Sequence, residues 1–171
     1  MESGSVLESI AEVAIALAGF GGIAAGLGYR TRGEWSLQDQ GRLIWLTALG
    51  LVVVFACFLP DVAHHLGSSA PLRVASALLL PITTFILLSM LWFNRRGVPA
   101  GTSRIAFLLV IVTTIAASAL LLAAALGYAA PREFGFYLSA VLLTLFQTSI
   151  FFLRLLITSF RGDQLNGRAD G

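Results

Sequence analysis

Five long apolar stretches, separated by short polar connections, run along the chain. They cover residues 7–28, 42–66, 72–93, 105–127 and 134–158. Each is long enough to cross about 30 Å of hydrocarbon as a helix, because a helix rises about 1.5 Å per residue. Two glycines, a proline and a charge pair within residues 127–135 separate the fourth stretch from the fifth. The pattern predicts an all-α integral membrane bundle of five transmembrane helices.

Composition agrees with this pattern. Hydrophobic residues make up 57% of the chain and charged residues 12%, whereas soluble domains carry about 25% charged residues. The connections are too short for a soluble domain, so residues 1–171 are expected to form a single transmembrane domain that ends in a polar tail at 161–171. The lipid bilayer is the expected partner. Nucleic acid is not, because the basic residues form no continuous stripe.

The arginines predict an orientation, because cytoplasmic loops retain positive charge. All eleven basic residues are arginines, and nine of them flank the ends of the helices that would face the cytoplasm. These nine are Arg30, Arg32, Arg42, Arg95, Arg96, Arg104, Arg154, Arg161 and Arg168. Only Arg73 and Arg132 fall on the other side. The amino terminus is therefore expected outside and the carboxyl terminus in the cytoplasm.

Acidic residues and glycines share one face of the first predicted helix. At 100° per residue, Glu8, Glu12, Gly19, Gly22 and Gly26 fall within about 80° of one another. Small residues allow helices to approach closely in lipid. The face can serve helix packing within the chain, an oligomer interface or the lining of a pore.

Glu12 lies inside the apolar stretch, where a carboxylate costs a few kcal/mol unless it is paired, protonated or hydrated. A structural ion pair and a proton-binding or cation-attracting role are both open interpretations. The possible partners on the same side of the membrane are Arg73, Arg132, His64 and His65.

The fifth predicted helix carries a stripe of polar residues that includes Glu133, Gln147 and Arg154. Gln147 falls near the middle of the membrane, where an amide commonly bonds to another helix. The alternative is a hydrated path from Glu133 past Gln147 to Arg154.

The second predicted helix ends in a proline followed by potential metal ligands. Pro60 removes one helical hydrogen bond and is expected to kink the helix. Asp61, His64 and His65 follow at spacings that allow a carboxylate–imidazole bond, a pH-sensitive switch or two metal ligands. Three residues without a supporting cluster do not specify a metal, so no metal or cofactor is expected and a solvated helix end is the favoured interpretation. Gly50 belongs to a stripe of small residues on this helix that can receive a neighbouring helix.

Three runs of sequence resemble a known group of proteins. They are ESIAEVAIALAGFGGI, RGEWSLQDQGRL and FLPDVAHHLG, within residues 7–73. The chain resembles small bacterial integral membrane proteins with an AGFxGI-type first helix, a group without an established activity. The resemblance implies a multi-pass protein of the bacterial inner membrane. Within the second run, Ser36 and Asp39 have the spacing of a helix cap, which predicts a helix start near residue 37.

The sequence contains no arrangement of residues typical of an enzyme. It has no HExxH pair, no phosphate-binding glycine loop followed by lysine, and no nucleophile with a recognisable base. We therefore expect a protein that is not an enzyme. The embedded polar residues favour a homo-oligomeric membrane pore or small-ion channel. The alternative is a non-catalytic scaffold or accessory subunit that packs against another membrane protein.

Overall fold

The computed structural model describes residues 2–32, 37–95, 104–128 and 132–166, and these segments contain five helices. The helices are α1 (Glu2–Arg32), α2 (Leu37–His65), α3 (Pro71–Arg95), α4 (Arg104–Ala125) and α5 (Glu133–Asn166). The predicted number and order of helices are confirmed. The start of α2 agrees with the predicted cap, whose first residue, Ser36, lies outside the described residues.

Each of the five helices is long and apolar enough to cross a membrane. Large apolar side chains cover the outer surface of the bundle, as Phe20, Phe55 and Phe85 illustrate with 60–71% of their surface exposed. Such a surface suits hydrocarbon and not water. These are the features of a multi-pass membrane protein of helical type. Helix α5 continues to Asn166, so part of the predicted polar tail is helical.

Four of the helices form a ring, and the first helix lies outside it. In the described part of the chain, α2 contacts α3, α3 contacts α4, α4 contacts α5 and α5 contacts α2, whereas α3 and α5 touch only slightly across the ring. Helix α1 packs into the groove between α2 and α5 and does not contact α3 or α4. One side of α1 is consequently left without a neighbouring helix.

Two glycines allow α1 to approach α2 closely. A Cβ on Gly21 would overlap the side chain of the fully buried Leu46. A Cβ on Gly50 would lie 3.5 Å from the Cβ of Ala18 and 3.6 Å from the carbonyl oxygen of Ala14. Residue numbers rise along α1 as they fall along α2, so the two helices are antiparallel. Gly50 thus receives a neighbouring helix, as its stripe of small residues predicts.

A tyrosine of α5 satisfies the carbonyl that a proline leaves free in α2. Helix α2 runs through Pro60 without a break. Because proline has no N–H, the carbonyl of Ala56, four residues earlier, loses its helical donor. The hydroxyl of Tyr137 donates a hydrogen bond of 2.5 Å to this carbonyl oxygen. Tyr137 is fully buried, so the contact joins α2 and α5 inside the bundle.

Candidate functional site

Helix α1 has a buried face and an exposed face. The buried face carries small and aliphatic side chains, namely Leu7, Ile10, Ala11, Ala14 and Ala25. The exposed face carries Glu8, Glu12, Gly19, Gly22 and Gly26, and we call these five residues the α1 outer face. The predicted acids and glycines therefore do share one face, which points away from the other four helices.

The glycines of the α1 outer face do not pack within the described chain. A Cβ on Gly19, Gly22 or Gly26 would meet no atom within 4 Å. Within the described residues, these glycines therefore do not receive another helix of the same chain. Gly21, which precedes Gly22 in the sequence but lies on the buried face, packs against Leu46 of α2 instead. An oligomer interface and a pore lining remain as interpretations of the outer face.

Glu12 lies near the middle of the apolar part of the bundle. Gly50 of α2 contacts α1 between Ala14 and Ala18. Because the two helices are antiparallel, Val54, one turn further along α2, is level with Glu12. Val54 is the central residue of the apolar segment of α2. Glu12 is thus deeper in the apolar zone than the amino-terminal end of α1 suggests.

The two carboxylates of the α1 outer face have no hydrogen-bond or ion-pair partner among the described residues. Both side chains are exposed on the outside of the bundle. A charged carboxylate facing hydrocarbon costs a few kcal/mol or more, depending on its depth. A single chain in lipid therefore leaves Glu8 and Glu12 in an unfavourable environment, which a neighbouring protein or water would relieve.

Arg73, a predicted partner of Glu12, pairs with Glu133 instead. Its Nε and Nη2 donate to one carboxylate oxygen of Glu133 at 2.8 and 2.5 Å. The guanidinium also packs on Gly127, where a Cβ would lie 2.9 Å from the Arg73 Cζ. Gly127 also has a φ of +72°. Both the backbone conformation and the contact with Arg73 therefore favour a residue without a Cβ. We call the end of the bundle with this contact the Arg73 end.

Gln147 makes the interhelical hydrogen bonds that its position predicts. Its Nε2 donates to the Oγ1 atoms of Thr113 and Thr114 of α4 at 2.9 and 3.1 Å. Each threonine donates its own proton to a carbonyl oxygen of α4, so its hydroxyl oxygen is free to accept from the amide. Gln147 is buried, and Arg154, further along α5, is half-buried. The embedded amide is thus engaged in packing α5 against α4.

Replacing this amide tests the strength of the α4–α5 contact. We expect Gln147→Leu to lower the free energy of unfolding by about 1 kcal/mol, a usual value for a polar contact between membrane helices. Gln40→Leu is the matched control, because Gln40 is exposed at the start of α2. Unfolding in mixed micelles of dodecyl maltoside and SDS measures both variants. An equal effect of the two substitutions would contradict this role of Gln147.

The residues at the end of α2 form a contact other than the carboxylate–imidazole bond that their spacing allows. Asp61, His64 and His65 are exposed. The Nδ1 of His65 lies 2.8 Å from the main-chain carbonyl oxygen of Asp61, so the ring contacts the main chain of Asp61. A carbonyl oxygen has two lone pairs, so this oxygen can contact the imidazole as well as its helical N–H donor. In the described residues, no three His, Cys, Asp or Glu side chains lie close enough to hold a metal ion.

The polar side chains of α5 and the acidic side chains of α1 have different surroundings. Glu133 and Gln147 bond to other helices of the same chain, whereas Glu8 and Glu12 face outward without a partner in the described residues. Comparison with known proteins gives no match to a family model, to a curated protein or to a solved structure. We therefore infer a function from the residues of the α1 outer face.

Proposed function

We propose that this protein is a homo-oligomeric membrane pore for small cations, in which the α1 outer face of every copy lines a common axis. The observation that carries the proposal is the exposure of Glu8 and Glu12 at an apolar depth. Rings of carboxylates attract cations and repel anions in pores. Assembly around a water-filled axis gives these carboxylates the hydration that lipid denies them.

A water-filled axis suits this face better than a dry contact between two helices. In a dry contact, the carboxylates of neighbouring copies would face one another without compensating positive charge, which is unfavourable at low dielectric. Residues 4–26 of α1, whose side-chain exposure is described, include no basic residue. Water around the axis screens the repulsion and leaves the negative potential that draws cations in.

The α1 outer face has an acidic half, with Glu8 and Glu12, and a glycine half, with Gly19, Gly22 and Gly26. The glycine half allows another helix to approach closely. Gly19, Gly22 and Gly26 leave open space next to the helix backbone, so neighbouring α1 helices can come near one another there. Ile15 and Ile23 border these glycines and are about 60% exposed. In the proposed pore, the acidic half forms a wider entrance, and the glycine half with its isoleucines forms an apolar constriction of the kind that gates by excluding water.

The proposal includes an orientation and a location. The asymmetry of the arginines supports an Arg73 end that faces outside, with the amino terminus on the same side. The acidic entrance then faces the exterior. The resemblance to small bacterial membrane proteins supports the bacterial inner membrane as the location of this pore.

The oligomer and the conductance are measured on the full chain. Native mass spectrometry in mild detergent is expected to give a closed oligomer. Liposomes that contain the purified protein are expected to pass potassium ions faster than chloride ions along a concentration gradient. A monomer in detergent together with liposomes that pass no ion under any gradient would contradict the proposal.

Substitution of the two acids tests their role in the pore. We expect Glu8→Gln with Glu12→Gln to reduce potassium flux by roughly tenfold, because charged clefts raise the local concentration of counter-ions by at least that factor. Asp61→Asn is the matched control, because it removes an exposed carboxylate of α2 that is not on the α1 outer face. Equal flux through the double variant and the control would remove the proposed function of the acids.

A different membrane protein on the α1 outer face is the alternative, and it would make the chain a scaffold or accessory subunit. The glycines fit a foreign helix as well as a second copy. A photo-crosslinking residue at Gly22 in native membranes separates the two functions. A product of twice the chain mass supports the pore, whereas only products of other masses support the scaffold. Phe85 of α3, exposed on the other side of the bundle, provides the control position.

A further inference from the structure

A small cavity lies at the centre of the ring formed by α2, α3, α4 and α5. All four helices contribute to its wall, and its volume is about 10 Å³. Most of the wall is apolar, with side chains such as Val53, Leu79 and Leu121. This volume is at the lower limit of what one water molecule needs.

Two threonines line this cavity. Thr83 belongs to α3 and Thr144 to α5, and these two helices lie across the ring from one another and touch only slightly. Thr83 is the central residue of α3, and Thr144 is next to the centre of the apolar segment of α5. The cavity thus places one threonine from each of two opposite helices around the same small space.

Both hydroxyl groups can still accept hydrogen bonds. The Oγ1 of Thr144 donates to the carbonyl oxygen of Ala140 at 3.0 Å. The Oγ1 of Thr83 donates to the carbonyl oxygen of Leu80 at 3.0 Å and lies 3.2 Å from the Oγ of Ser118. A hydroxyl group has one proton and two lone pairs. Each threonine therefore keeps at least one lone pair for a donor, and a water molecule has two protons to give.

We propose that the cavity is a binding site for a single buried water molecule, which donates one hydrogen bond to Thr83 and one to Thr144. This site is independent of the proposed pore, because α1 contributes nothing to its wall. The water molecule joins α3 to α5 where these helices otherwise barely meet. It also extends the Ser118–Thr83 contact into a chain of hydroxyl groups across the ring.

Magic-angle-spinning NMR of the full chain in lipid bilayers tests this site. Magnetisation that starts on water is expected to reach Thr83 and Thr144 within milliseconds. It is expected to reach Thr148 more slowly. Thr148 is the matched control because it is buried on the same helix and makes the same kind of bond, to the carbonyl oxygen of Thr144, without lining the cavity. Equal transfer to Thr144 and Thr148 would overturn the proposal.

Two variants separate the water site from general loosening of the bundle. Thr144→Val keeps the shape of the side chain and removes its hydroxyl group, so the water signal at Thr83 is expected to fall severalfold. Thr148→Val is expected to leave that signal unchanged. A signal at Thr83 that survives Thr144→Val, or that disappears equally in both variants, contradicts a water molecule shared by the two threonines.

Discussion

Gly50→Leu is expected to detach α1 from its groove and to lower the free energy of unfolding by about 3 kcal/mol, at the upper end for overpacked sites. Gly50 is where three helices meet. A Cβ there would lie 3.5 Å from the Cβ of Ala18, 3.6 Å from the carbonyl oxygen of Ala14 and 3.8 Å from the Cγ2 of Thr148. The remaining atoms of a leucine side chain have no space between these neighbours. A main-chain carbonyl cannot rotate away as a side chain can.

A graded series distinguishes this contact from a general intolerance of α2 to substitution. Gly50→Ala adds only a Cβ at ordinary contact distances, so we expect a change below about 1 kcal/mol. Ala48→Leu is the control of matched size, because Ala48 is exposed on the same helix. Circular dichroism in mixed dodecyl maltoside and SDS micelles measures unfolding of all three. An equal free energy of unfolding for the Gly50→Leu and Ala48→Leu variants would show that α1 is not held at this junction.

Tyr137→Phe is expected to destabilise the bundle by about 1–3 kcal/mol, the cost of a buried polar group without a partner. The substitution removes only the hydroxyl group, so the shape of the side chain is kept. The carbonyl oxygen of Ala56 then loses the donor that replaces the missing N–H of Pro60. Tyr128→Phe is the matched control, because Tyr128 is 85% exposed, and it is expected to change nothing measurable.

The reason for this cost can be tested by restoring the helical donor. In a Pro60→Ala background, the N–H of residue 60 can donate to the carbonyl oxygen of Ala56. Tyr137→Phe is then expected to cost about 1 kcal/mol less than it costs with proline present. The double-mutant cycle is measured by the same micellar unfolding. An equal cost in both backgrounds would mean that Tyr137 does not compensate for the proline.

Hydrophobic length and helix periodicity were sufficient to predict the helices and the residues that share a face. The starts of α2 and α5 agree closely with the predicted positions because a cap pattern precedes the first and a glycine–proline break precedes the second. Periodicity does not predict which face turns inward. Helix α1 has small residues on both sides, Ala14 and Gly21 on one and Gly19 and Gly22 on the other, so either could have been buried.

Contacts between distant residues could not be predicted from the sequence, because they also depend on which face of each helix turns inward. Arg73 and Glu133 are 60 positions apart, and charge alone made Glu12 an equally suitable partner for Arg73. The need of Gln147 for a partner was predictable, but the identity of Thr113 and Thr114 depended on how α4 turns in the ring. One signal for Tyr137 was present, since a buried carbonyl four residues before Pro60 requires a donor.

The position of α1 outside the ring has a consequence for biosynthesis. Of these five helices, the ribosome makes α1 before the others, yet the groove that holds it is built from α2 and α5, and α5 is made after the other four. Transmembrane helices insert individually before they pack together. Helix α1 therefore has only half of its binding surface until translation of α5 is complete. During that interval, its exposed surface is available to a newly made neighbour.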